Sequence, residues 1–208
     1  MTDEKIQSLK DDIAFMRALA QEGSSAPLLG GSILVAAGLI FGGASVIHWT
    51  VITGLLAVSN WAFPIIWFGA LALFMIIVTV LGRRMRGKPG AASPGNRASG
   101  TAWASVGWTI FAISLSLMII GARAQSEIPM LVFPSLILGL YGMGWSVAAA
   151  MSRKGWLWVT AIGSYAAALV VAWFSIDPAV YLVYGAALLL LATLPGFILM
   201  RQEPSDTI

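Results

Sequence analysis

The chain has 208 residues, of which 59% are hydrophobic and 10% charged, with a formal net charge of +3. Soluble domains carry roughly a quarter charged residues, so this composition excludes an ordinary water-facing surface. With no cysteine and a single histidine, His48, the chain excludes disulfides, thiolate nucleophiles, cysteine-ligated metals and an HExxH metal site.

The polar residues 1–26 come first and read as a cytoplasmic amphipathic helix. They do not read as a cleaved leader, because the apolar run behind them starts late, is long and lacks a small-residue cleavage site. In "TDEKIQSLKDDIAFMRALAQEG", Thr2 or Asp3 can cap the start and Gly23 can end the helix. Ile6, Leu9, Ile13 and Met16 recur at spacings of three and four, which places them on one stripe. The first reading of that stripe is packing on the chain's own cytoplasmic face; it is also a candidate face for docking a protein partner, and a coiled-coil seam is a further alternative. Membrane-surface helices carry more basic charge than this acid-rich stretch.

A helix needs about 20 apolar residues to cross a bilayer. Six runs qualify, over Leu28–Trp49, Trp61–Leu81, Trp103–Gly121, Met130–Met151, Trp156–Phe174 and Ala179–Met200. They are continuously apolar without period-2 alternation, which argues for helices over barrel strands. The fold class is therefore an all-α polytopic membrane bundle of six helices. Its parts are the segment 1–26, hairpins over 27–82, 103–152 and 153–200, a flexible cytoplasmic loop over 83–102 and a tail over 201–208. Residues 50–60 are apolar as well, and read either as an interfacial helix or as a loop.

Of the 12 Lys and Arg residues, all but Arg123 fall on one side of such a topology. The positive-inside bias then puts both termini in the cytoplasm, in what reads as a bacterial inner membrane. Shifting the sequence by seventy residues aligns Ile40-Phe41 with Ile110-Phe111, Phe63-Pro64 with Phe133-Pro134, Gly69 with Gly139, and Arg83-Arg84 with Arg153-Lys154. The first two hairpins thus read as tandem copies with the same orientation.

Gly38, Gly42, Gly69 and Gly139 are candidate helix-packing positions, since small residues let helix backbones approach. In "GLYGMGW" the glycines serve either a ligand cavity or tight packing. Pro195 and Gly196 interrupt the last helix as a kink or a gate. His48, Asn60, Arg123, Glu127 and Asp177 gather near outer helix ends, where an acid, a base and a histidine form a candidate outer-face polar cluster. No triad spacing, metal cluster or phosphate loop accompanies them.

The sequence thus points to a non-enzymatic accessory, assembly or regulatory membrane subunit. The runner-up is a small transporter or channel for a neutral or apolar solute, and the third reading is an outer-face enzyme. The expected partners are membrane lipid and a membrane or cytosolic protein, with a homo-oligomer as an alternative. Neither nucleic-acid binding nor a cofactor is expected.

Overall fold

The computed structural model describes residues 3–24, 26–59 and 61–203, and every regular element among them is helical. Helix α1 covers Asp3–Ser24, α2 Gly31–Ile52, α3 Ala62–Met85, α4 Pro94–Ala124 and the short α5 Ile128–Leu131. Then come α6 over Phe133–Ser152, α7 over Gly155–Trp173, α8 over Val180–Leu188, a π-helical turn over Leu189–Thr193, and α9 over Leu194–Gln202. The segments Gly31–Ile52, Ala62–Met85, Pro94–Ala124, Ile128–Ser152, Gly155–Trp173 and Val180–Gln202 are six helical stretches long and apolar enough to cross a membrane.

Two of the boundary differences from the sequence reading have a clear local reason. Helix α4 begins at Pro94, so the second half of the expected loop 83–102 is helical. Ser93 is extended and its side chain accepts from the Asn96 amide at 3.3 Å, while Pro94 fills the first helical position, where no N–H is needed. Helix α2 runs past Trp49 to Ile52 and stops at a turn with Gly54 in a left-handed conformation (φ 77°). Residues 53–59 are turn and irregular chain, with no second helix.

The bundle is uneven. Helices α6 and α7 form the closest pair, α4 leans on α6, and α2 lies between α3 and the last segment, α8 to α9. In the third hairpin, therefore, α7 packs mainly on α6 while its chain neighbour packs on α2. Leu138, Trp145, Leu157, Val171 and Leu188 are fully buried at the centre. Helix α3 buries only Ala70, and α4 only Ser99 and Val106.

The "GLYGMGW" stretch resolves as packing. Gly142 receives the Tyr165 ring and Gly144 the Trp103 ring. Trp103 meets Tyr141 and Trp145 edge-on at 5.2 and 5.1 Å between ring centroids, an arrangement favoured by the ring quadrupoles.

The last segment owes its shape to Pro195. Proline has no N–H for the carbonyl four residues back, here Leu191, and its ring crowds that carbonyl. The helix widens just before it into the π turn, where the Leu194 amide reaches Leu189 O. The Leu191 carbonyl is taken by the Trp145 indole, whose Nε1 donates to it at 2.8 Å. Trp145→Phe keeps a ring but removes this donor, and is expected to cost about 1–2 kcal/mol in reversible unfolding in detergent. Pro195→Ala returns an N–H to Leu191, so the same Phe substitution should cost about half as much in that background. Equal costs in the two backgrounds would show that the carbonyl does not need the indole.

Candidate functional site

Polar chemistry concentrates at the two ends of the bundle and along one seam between them. At the basic end, Asn96 holds three segments together. Its Oδ1 accepts from the Leu29 amide at 2.8 Å, and its Nδ2 donates to Pro27 O and Gly90 O, both at 2.9 Å. Glu203 does the same for a second set: its Oε1 accepts from the Gly30 and Gly31 amides at 3.1 and 3.0 Å, and its Oε2 pairs with Lys88 Nζ at 3.0 Å. Lys154 Nζ donates to Gln202 Oε1, and burial pushes that ammonium below its usual pKa. Arg201 lies over the Phe197 ring at 4.4 Å. The segments bearing Lys88, Arg97, Lys154 and Arg201 thus converge on one end.

The seam runs between α2 and the last segment. A methyl built on Gly196 would lie 2.8 Å from the Gly31 carbonyl oxygen, and one on Gly42 would lie 3.4 Å from that of Gly185. A methyl on Gly38 would collide with Thr193 Oγ1 and come within 2.8 Å of the Thr193 amide nitrogen. That hydroxyl oxygen is buried and has no conventional hydrogen-bond partner. It sits where the Gly38 Cα–H points, so a Cα–H···O contact is what Gly38 offers it. A methyl on Gly69 or Gly139, in contrast, would meet nothing within 4 Å.

At the opposite end, α2, α3 and α8 meet around His48, which is 8% exposed. Its imidazole stacks on Tyr181 at 3.8 Å and leans on Phe63 at 4.6 Å between centroids. Trp67 Nε1 donates to His48 Nδ1 at 2.8 Å. The Nδ1 lone pair is therefore engaged, and in the neutral ring the proton sits on Nε2. Glu127 is exposed. Asp177 accepts from the Ala179 amide at 2.7 Å, closing the turn that starts the last segment. Arg123 is exposed and forms no ion pair with either acid among the described residues. Asn60 lies outside the described residues. The four described members of the outer-face set therefore resolve into a His48 joint, a capping Asp177, and exposed Glu127 and Arg123.

This arrangement joins helices. His48 has aromatic rings on it and its Nδ1 committed to an indole, so it holds no lone pair toward a nucleophile. Among the described residues, no three His, Cys, Asp or Glu side chains gather as metal ligands. Comparison with protein-family models, with curated proteins and with solved structures gives no match.

On the expected docking stripe, Leu9, Ile13 and Met16 are exposed by 54%, 43% and 60%. The Ile6 side chain lies outside the described residues. Sequence reasoning missed Glu203, Asn96, Gly31 and Gly185 as contact residues and read Gly196 only as part of a kink or gate. One signal was present: Gly31 and Gly42 have the same spacing as Gly185 and Gly196, as two antiparallel helices crossing twice would require.

Gly38→Ala is expected to cost about 1–3 kcal/mol in thermal or denaturant unfolding through overpacking. Gly69→Ala and Gly139→Ala, with open space beside them, should be neutral or stabilising by up to about 1 kcal/mol. The reverse order of costs would mean that the close helix contact does not pass through Gly38.

Proposed function

We propose that the chain is an integral protein of the cytoplasmic membrane that acts without catalysis, as an accessory, assembly or regulatory subunit working through helix packing and α1. One observation carries this reading. Helix α1 is a full 22 residues long, yet it leaves Leu9, Ile13 and Met16 open to solvent. An apolar stripe on an acid-rich helix outside the bundle suits docking to a protein, since anionic lipid headgroups would repel its carboxylates. Substituting all three residues with Ser should abolish recovery of a specific partner in mild detergent. Unfolding of the bundle should shift by no more than about 0.5 kcal/mol, as for exposed positions. Unchanged partner recovery would end the docking role.

In this reading both termini face the cytoplasm, as the gathering of basic segments at one end and the lone Arg123 at the other support. The first two hairpins are tandem copies. The Phe-Pro pair and the glycine after it hold matching places at the starts of α3 and α6, and neither glycine touches a neighbour. Reporter fusions at the two ends should register in the same compartment, and opposite compartments would remove the orientation.

The second reading, a small transporter for a neutral or apolar solute, is favoured by one feature. An open apolar groove of about 420 Å³ runs between α7 and the last segment, lined by Gly163, Ala167, Val183, Ala186 and Leu190 among others. Solute movement by the purified chain in liposomes would favour this reading over the subunit role.

A further inference from the structure

We propose that the last segment carries a latched lever at the basic end: α9 swings on the π turn and Pro195-Gly196, and the Glu203 carboxylate holds it shut against α2. Hinge and latch geometry alone support this lever, independently of the partner role proposed for α1.

The hinge is local. The turn Leu189–Thr193 has π geometry, and Pro195 directly follows the first residue of α9. A widened turn with a proline behind it has fewer α-type backbone bonds to break on bending. The two sides of the hinge are held differently. On the α8 side, Trp145 donates to Leu191 O, Ser45 Oγ donates to Tyr181 O at 2.7 Å, and Tyr181 stacks on His48. These contacts fix α8 to α2 and the near side of the π turn to α6. On the α9 side, the backbones of Gly196 and Met200 lie directly against Gly31, with Leu34 beside Gly196, and the polar ties among the described residues are those of Glu203 and of Lys154 with Gln202.

The latch is specific. Gly30 has a left-handed backbone (φ 105°, ψ 5°) that only glycine adopts without strain, and it turns two successive amides toward one carboxylate oxygen. These are amides at the start of α2 that no helical carbonyl can satisfy. Glu203 therefore caps α2 from the far end of the chain, and its other oxygen pairs with Lys88 in the loop after α3. The Glu203 side chain is 3% exposed and that of Lys88 18%, so salt screens this pair far less than a surface pair. When the carboxylate leaves, α2 loses its cap and α9 loses its strongest tie. The packed contact between α9 and the start of α2, at whose end of the bundle Leu199 is buried, then opens toward the basic end.

The chain has no cysteine, so a single introduced thiol reports directly. Leu199 is 2% exposed on the lever, and Leu157 is 0% exposed at the start of α7, at the same end but off the lever. The rate of labelling by a water-soluble maleimide is measured for Leu199→Cys and Leu157→Cys in the full chain in liposomes. Adding Glu203→Ala should speed labelling at position 199 by about tenfold, the scale of a lost set of charge-assisted hydrogen bonds on a local opening. Glu203→Gln, which keeps an acceptor, and Lys88→Met, which keeps the cap, should give smaller increases, and position 157 should stay slow throughout. These two milder variants carry the test if Glu203→Ala does not fold. No acceleration at position 199, or equal acceleration at position 157, overturns the proposal.

Discussion

A chain that spans a bilayer must pair its backbone polar groups within itself, because hydrocarbon offers no water to pair them with. Pro195 breaks that rule inside the last segment, and the Trp145 indole repairs it by donating to the Leu191 carbonyl. Much of the arrangement follows from this one bond. It fixes α6 against the last segment, and Trp145 becomes a fully buried side chain around which Tyr141 and Trp103 assemble. It also places the irregular turn, with its buried Thr193 hydroxyl, against Gly38 of α2, where no side chain obstructs it. An indole is suited to this task because it is a large apolar body with a single donor and no acceptor to leave unsatisfied.

The two ends of the bundle solve the same problem by different chemistry. At the His48 end the joint is aromatic: one histidine nitrogen takes an indole hydrogen and the ring faces are covered by Tyr181 and Phe63. At the other end the joints are amide and carboxylate, with Asn96 and Glu203 each serving three partners. Neutral buried pairs carry little desolvation cost, whereas ionic ones need several hydrogen bonds to offset theirs. Glu203 meets that condition with two amides and an ammonium.

The six long apolar helices and their order were legible in the sequence because hydrocarbon thickness is a length constraint that each apolar run states by itself. The gathering of basic segments at one end was legible for a similar reason, since it depends only on an even alternation of crossings. What stayed hidden depends on two distant segments at once. The start of α4 was written locally in Ser93 and Pro94, but a Gly/Pro/Ser-rich stretch reads equally well as a connector. Glu203 looked like an ordinary charged residue beyond the last helix, and nothing nearby identifies it as the cap of a helix more than 170 residues earlier. Glycine content marked candidate contacts without saying which face each glycine presents. Gly38 and Gly42 lie on the seam, while Gly69 and Gly139, equal to them in composition, point into open space. His48 was visible as the only histidine, yet its role is decided by Trp67 and Tyr181, which the sequence did not connect to it.

The distribution of anchors makes the last segment the keystone. It is tied at its start by Tyr181 to His48, at its middle by Leu191 to Trp145, and at its end by Glu203 to α2 and Lys88. Helices α3 and α4 sit at the opposite extreme, each resting on one long neighbour with most side chains facing outward. Side chains that look out into lipid gain little from association, since acyl chains solvate them as well as a neighbouring helix does. The order of the bundle therefore rests on small-residue contacts and a few hydrogen bonds rather than on apolar area. In the membrane placement proposed above the consequence is selective: trimming an outward Ile or Phe of α3 would remove only packing against lipid, whereas a single methyl on Gly38 or the loss of one indole N–H strikes the contacts that set helix positions. In such a protein the polar and glycine residues, few as they are, carry the specificity that a soluble domain draws from its hydrophobic core.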